Sequence, residues 1–400
     1  MTRPPLLFYC QHSVGMGHLM RSLALTRSLS TRFDVTFVSG GAVPRIAATG
    51  GLRLVPLPPV GLDERGRMVS RDGRRTLERA LDARRRLLID TYRAVRPRVV
   101  VVELFPFGRR KFSSEIEPIL ELARGGSPRP LVCCSLRDIL VSGRATQREH
   151  DARAAGVLDT YFDAVLVHSD PSFARLEDSL ASDVRISVPI HYTGFVHAAD
   201  ESAPVRARTR PSSVVVSAGG GLVGEPLLQT AIESYALISA TLRRPLTLVC
   251  GPFLPEEAWR RLRRRTAGMS DVAVCRAVPN LALELTHASA SISQCGYNTA
   301  MDLLQSRVPA LVVPFGTSAE DEQLKRARRL EALGALRVLL PSELTAPRLA
   351  AEMVSLPSFR PVAPRLTLRG AERTTEVIDA MLDGRALGRS APFHAAQGVV

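Results

Sequence analysis

The stretch from Ala290 to Val313 constrains this chain more than any other. Ser291 to Ser293 ends a short apolar run; Gly296, Tyr297, Asn298 and Thr299 form a turn; Ala300 to Leu304 carries a helix; and Pro309 to Val313 is a second apolar run. The pattern is strand, glycine turn, helix, strand. A helix that opens on a Gly/Asn/Thr turn presents unpaired backbone N–H groups and the positive end of its dipole, which suits a diphosphate. Asp302 falls within the first turn or two of that helix, where a carboxylate complements the dipole or accepts hydrogen bonds from ribose hydroxyls.

The same alternation runs through the chain. Pro5 to Cys10 is an apolar strand, and Gln11 to His18 leads into a helix whose stripe is Leu19, Leu23, Leu25 and Leu29. Strands follow at Phe33–Val38 and Leu52–Pro56, with a helix around Val43–Thr49 between them. This βαβαβ order predicts a parallel, doubly wound sheet. Pro58 to Gly73 is rich in Gly, Pro and charge and reads as a surface loop. A helix over Thr76–Val95 and a strand over Pro97–Val102 come next, then Glu103-Leu-Phe-Pro-Phe-Gly108 just past the strand end, where open α/β sheets place ligands. A helix at Ser114–Ala123, strands at Leu131–Ser135 and Ala164–His168, and the segment from Val184 to Tyr192 complete the first half.

Ala198 to Ser212 is polar, Pro- and Arg-rich and without apolar periodicity, so it reads as a linker between domains 1–197 and 213–383, with 384–400 as a tail. A second alternating series starts at Val214–Ser217. Strands lie near 246–250, 272–275, 290–293, 310–313 and 336–339, with helices at Pro226–Leu242, Glu256–Thr266 and Asp321–Leu333. The last helical stretch, Pro364–Met381, is expected to pack back on the first domain. A length of 400 residues also favours two cores over one.

The chain carries 53 Lys and Arg against 39 Asp and Glu, a net charge of +14. That excess admits nucleic acid, an anionic membrane surface or phosphorylated substrates. It is concentrated at Arg65–Arg86 and at Trp259–Arg265. Aromatic residues make up only 5% and no nucleic-acid-binding module is present, which argues against nucleic acid. The basic runs leave open a peripheral contact with an anionic membrane, or no function at all. Apolar runs such as Val99–Val102 are far shorter than a membrane span, and the N-terminal run reads as a strand and not a signal peptide. The six Cys show no metal-ligand spacing and read as buried reduced thiols of a cytoplasmic protein.

Two Rossmann-like halves facing one cleft, each opened by a glycine turn, is the GT-B architecture. Ser217-Ala-Gly-Gly-Gly-Leu-Val-Gly224, the 290–313 segment and Pro314 to Gln323 together resemble the C-terminal domain of family 28 glycosyltransferases. Gly15-Met-Gly-His18 and the residues to Ala24 resemble the first glycine loop of the same enzymes, and also that of a UDP-sugar hydrolase with the same fold. The resemblance implies a donor site: Val278 at the uracil, Asp302 at the ribose, Gly219, Gly220, Gly221, Gly296, Asn298 and Thr299 along the diphosphate, and Glu322 and Gln323 on the donor sugar. The family commonly carries Gln-Gln there, so Glu322 is a departure. The resemblance also places His18 near the reaction centre.

The residues themselves allow plainer roles. His18 caps a helix in any α/β fold with such a turn, and Asp302 is a residue type that dipoles favour. Glu103 sits in apolar company, which is expected to raise its pKa and suits an acceptor-side role. Arg137 either binds phosphate, on the acceptor side with Gly15 and Gly17, or pairs with Asp138. The mechanism implied is transfer of a hexose or N-acetylhexosamine from a UDP-sugar to an acceptor hydroxyl, inverting and without a metal or other cofactor, with His18, titrating near neutrality, as base. Water in place of the acceptor would make the same site a hydrolase, and a non-catalytic nucleotide-sugar sensor is a third reading.

Overall fold

A computed structural model describes residues 3–12, 17–41, 43, 51–62, 67–197, 212–316 and 320–384. Gly15, the helix expected around 43–49, most of the linker and nearly all of the tail lie outside these residues.

The first domain contains strands β1 (Pro5–Cys10), β2 (Asp34–Ser39), β3 (Arg53–Pro56), β4 (Val60–Leu62), β5 (Met68–Ser70), β6 (Val99–Glu103), β7 (Leu131–Arg137), β8 (Ala164–His168) and β9 (Ile190–Tyr192). Its helices are α1 (Gly17–Leu29), α2 (Leu77–Val95), α3 (Ser113–Arg124) and α4 (Gln147–Tyr161). Seven strands form one parallel sheet in the order β3-β2-β1-β6-β7-β8-β9. Both faces are covered, and the residues of β1 alternate between them. Leu7 and Tyr9 join one buried cluster, while Leu6, Phe8 and Cys10 join the other. A strand with two buried faces needs an unbroken apolar run, and PLLFYC is one.

Two first-half elements differ from expectation. The segment expected as a surface loop contains an antiparallel hairpin, β4 with β5. Helix α4 was not anticipated, because its buried stripe is mostly Ala154, Ala155 and Leu158 on an otherwise polar sequence.

The second domain contains β10 (Val214–Ser217), β11 (Leu246–Val249), β12 (Val272–Cys275), β13 (Ala290–Ser293), β14 (Ala310–Val312) and β15 (Arg337–Val338). Its helices are α5 (Glu225–Leu237), α6 (Glu256–Arg265), α7 (Leu281–Thr286), α8 (Tyr297–Ser306), α9 (Glu322–Ala332) and α10 (Ala346–Ser355). The sheet is parallel in the order β12-β11-β10-β13-β14-β15. Counted from its own first strand this is 3-2-1-4-5-6, the dinucleotide-fold order.

The last helix, α11 (Gly370–Leu382), returns to the first domain and packs on α1. Val377 and Ile378 enter the cluster of Leu19 and Leu23, and Ser28 and Thr375 share a hydrogen bond of 2.9 Å. The domains also share a cluster in which Ile139, Phe173 and Phe195 of the first pack with Tyr297, Met301 and Leu330 of the second. Among the described residues no helix is long and apolar enough to cross a membrane.

Candidate active site at the facing strand ends

Each sheet reverses its strand order next to its first strand, and such a point opens a crevice at the carboxyl ends of the strands. In the first domain the crevice lies between β1 and β6, with the start of α1 on one side and Glu103 on the other. In the second it lies between β10 and β13, flanked by Gly219–Gly221 and by the start of α8. The crevices face each other. The Asn298 side chain donates to the Gly17 carbonyl at 3.2 Å, so the two glycine turns singled out from sequence meet across the cleft.

The first-domain wall is made of side chains, with charged Glu103, Arg21 and Arg109 around His18. His18 Nδ1 lies 2.5 Å from Glu103 Oε1, and Arg21 donates to the same oxygen at 2.5 Å. Arg109 lies 3.7 Å from the other carboxylate oxygen. Glu103 is fully buried, whereas the His18 side chain keeps 17% of its exposure. Burial by itself would push the Glu103 pKa up, as its apolar neighbours suggested. The structure corrects that expectation: His18, Arg109 and Arg21 outweigh burial and hold the carboxyl well below the usual range. His18 is corrected too. Burial lowers it from 6.5 to about 3 despite the opposing pull of Glu103. An ionised Glu103 has no proton to give, so Nδ1–H of neutral His18 is the donor. Nε2 is the ring nitrogen that Glu103 leaves unengaged.

Arg21 is buried between this dyad and the other domain, its guanidinium carbon 5.2 Å from the centre of the Tyr297 ring. Tyr297 donates to the His168 carbonyl at 3.0 Å and accepts from the Val196 N–H at 2.8 Å. Arg326 of α9 is also buried. It makes a fork to both oxygens of Asp138 at 2.7 and 2.8 Å and a further bond of 2.8 Å to the Cys295 carbonyl. Asp138 therefore ties the domains together and does not pair with Arg137. Arg137 instead reaches Glu322 at 3.3 Å. None of these buried arginines was readable as such in the sequence, where they are indistinguishable from the surface ones.

The second-domain wall is mostly backbone. Helix α8 starts at Gly296, which gives it no side-chain cap, and a Cβ added there would meet no atom within 4 Å. The first N–H groups thus open onto the cleft. Thr299 is buried in that first turn, and Gly219 adopts φ +56°, with Gln294 Oε1 and Thr299 Oγ1 each 4.0 Å from where a Cβ would lie. Gly221 serves differently: at φ +90° it packs on Gly251, and an added Cβ would fall 2.5 Å from the Cys250 carbonyl. Gly220 connects the two. Val278 follows β12 and packs on the shared cluster. Gln323 Oε1 accepts from the N–H groups of Cys295 and Phe315, both at 3.1 Å, which fastens the α8 turn to the exit of β14.

Asp302 sits in the second turn of α8, where burial raises its pKa and His197 at 3.2 Å opposes the rise. His197 was not foreseen. Buried polar atoms without a partner collect along both walls, including Asn298 Oδ1, Ser293 Oγ, Glu322 Oε2 and Arg137 Nε. Among the described residues no group of three or more His, Cys, Asp or Glu is placed to hold a metal ion.

The architecture is that of the GT-B glycosyltransferases. Over 98% of its length the chain superposes on the calicheamicin glycosyltransferase CalG4, covering all of it with a TM-score of 0.60 at 17% identity. Over 94% it superposes on MurG of Acinetobacter baumannii, again covering all of it, with a TM-score of 0.54 at 14% identity. Residues 214–364, within the second domain, match the glycosyltransferase family 28 C-terminal domain, so that domain is family 28-like. A relative from Pseudomonas paraeruginosa, named UDP-N-acetylglucosamine--N-acetylmuramyl-(pentapeptide) pyrophosphoryl-undecaprenol N-acetylglucosamine transferase, is 29% identical over 210 residues. That match takes in 51% of this chain and 57% of the relative. The Thermotoga neapolitana protein of the same name is 29% identical over 127 residues, 32% of this chain and 34% of the relative. The chain thus spans between a third and three-fifths of these relatives' lengths.

Proposed function

We propose that the protein transfers a hexose or N-acetylhexosamine from a UDP-sugar to an acceptor hydroxyl, with inversion. The observation that carries this reading is the His18–Glu103 dyad, hydrogen-bonded at 2.5 Å at one switch point and facing the open α8 turn at the other. Glu103 fixes the ring tautomer, so His18 Nε2 takes the proton as the acceptor oxygen attacks the anomeric carbon. The sugar–phosphate bond breaks on the opposite side. The negative charge growing on the diphosphate falls on the N–H groups at Gly296–Thr299 and Gly219–Gly220. This route assigns the charge to backbone dipoles and invokes no metal. Asp302 takes the ribose hydroxyls, in exchange for or alongside His197. Glu322 and Gln323 Nε2 face the donor sugar, and Val278 the base. A UDP-sugar is favoured because relatives 29% identical over part of the chain carry names that specify UDP-N-acetylglucosamine.

Hydrolysis is the competing reading, since the same dyad can activate water. Incubation with UDP-N-acetylglucosamine and no acceptor separates the two. Slow UDP release is expected. Rapid release that disappears in His18→Ala would replace transfer by hydrolysis. A thermal-shift screen of UDP-, dTDP- and GDP-sugars tests the donor site itself. A ligand at a hundred times its Kd adds about 2.7 kcal/mol, and the absence of a shift with all three would remove the donor assignment.

A further inference from the structure

Next to the dyad lies a cavity of about 530 Å³ that the mechanism above leaves unused. It is bounded by the loop that leaves β6 and by the start of α4. Five cations line it: Arg109, Arg110, Lys111, Arg144 and Arg153. One carboxylate, Glu149, opposes them. Met68, Phe107 and Phe112 supply an apolar wall. Neither basic run singled out from sequence accounts for this surface. In the first run Arg84 is buried on Glu115, and Arg85 and Arg86 pair with Asp82. In the second, Arg260, Arg261 and Arg265 pair with glutamates.

Arg109 joins the cavity to the catalytic dyad. It lines the cavity, yet one of its terminal nitrogens lies 3.7 Å from Glu103, too far for a hydrogen bond. That nitrogen and Nε are buried without a hydrogen-bond partner, leaving only the longer ion pair with Glu103. The loop that carries Arg109 is held by left-handed backbone at both ends, at Leu104 (φ 62°) and at Arg109 itself (φ 63°), a conformation uncommon for residues other than glycine. Several guanidinium groups held in one concavity repel each other until an anion joins them. Their planar forks match the paired oxygens of a carboxylate or phosphate.

We propose that this cavity is the acceptor subsite, and that the acceptor is a small molecule carrying an anionic group, carboxylate or phosphate, beside an apolar or aromatic body. The anion lies on Arg109, Arg110, Arg144 and Arg153, the body on Met68, Phe107 and Phe112, and the hydroxyl points past Arg109 toward His18. The inference rests on the transferase reading for the hydroxyl, but not for the anion.

Calorimetric titration of the full chain at fixed ionic strength tests it, with phenyl phosphate, benzoate and phenol as probes and UDP titrated separately. At least one anion is expected to bind about tenfold or more tightly than phenol, equivalent to about 1.4 kcal/mol. The tighter of the two identifies the group. Arg110→Gln/Arg153→Gln replaces two exposed side chains, so the fold is retained. It should weaken the anion about tenfold or more, with UDP affinity unchanged, and Arg110→Lys/Arg153→Lys should retain part of the binding. Three results overturn the proposal: anions that bind no better than phenol, an Arg110→Gln/Arg153→Gln protein that binds them like wild type, or charge-dependent binding only to phosphatidylglycerol vesicles, which would make the surface a membrane contact. Binding of UDP without the anions removes the subsite alone, and loss of UDP binding removes the donor reading.

Discussion

The two walls of the cleft share one topology and use it in opposite ways. Each is a switch point between the first and fourth strands of a parallel sheet. The first-domain wall concentrates full charges, with Glu103, Arg21 and Arg109 around His18. The second-domain wall offers glycines, Thr299 and the uncapped start of α8. Backbone dipoles stabilise a charge that arrives with the ligand, and they need no counter-ion while the site is empty. A proton acceptor has to be a side chain, and in a buried site that side chain must be held in one tautomer. Under the proposed function, binding of the donor falls to one wall and proton transfer to the other.

The sharpest way to break that division is to disable the first wall. His18→Ala and Glu103→Gln are each expected to lower kcat by about 10²–10⁴, while the thermal shift given by UDP stays as in wild type. If UDP binding is lost in both, the walls do not divide the work. The joint between the walls comes next. Asp138→Ala leaves Arg326 buried and unpaired, which is expected to cost about 3–5 kcal/mol in urea unfolding. A loss below about 1 kcal/mol would mean that this ion pair contributes little to holding the domains together.

The charged wall should also make the first domain acid-sensitive. Burial lowers His12 from 6.5 to about 4 and His168 to about 3. Unfolded histidines take up protons below about pH 6.5 while these two do not, so stability falls as the pH drops from about 6.5 toward 4. The slope is up to about 1.4 kcal/mol per pH unit for each group. Urea midpoints at pH 7 and pH 5 read this directly, and His168→Gln should flatten the slope.

The smallest effect is expected on the second wall. Gly219→Ala adds a Cβ with no heavy atom nearer than 4.0 Å but forces a side chain into left-handed backbone. The cost is about 1–2 kcal/mol, and UDP affinity should fall with little change in kcat. Gly221→Ala, whose Cβ collides with the Cys250 carbonyl, should instead destabilise the fold.

The second wall was the more legible of the two. Gly219 to Gly221, Gly296 to Thr299 and Asp302 are local in sequence, and their conformational demands can be read residue by residue. The first wall brings His18 to Glu103 across 85 positions. Both residues stand out by their turns, but their pairing, and the reversal it imposes on the Glu103 pKa, comes from β1 and β6 lying side by side. Helix α4, the β4–β5 hairpin and the cavity cations escaped for a related reason. Small apolar stripes and charged segments acquire a role only from what packs against them.

By itself the sequence determined two parallel αβ domains and a glycine-opened helix start, because strand runs, helical periodicity and glycine conformations are set over a few residues. Only the tertiary structure decided which ionisable groups are buried and with whom: Arg21 on Glu103 and Tyr297, Arg326 on Asp138, Arg137 on Glu322, His197 on Asp302. The energy of a charge depends on the dielectric and the charges within a few ångströms of it, and those neighbours are supplied by parts of the chain far apart in sequence.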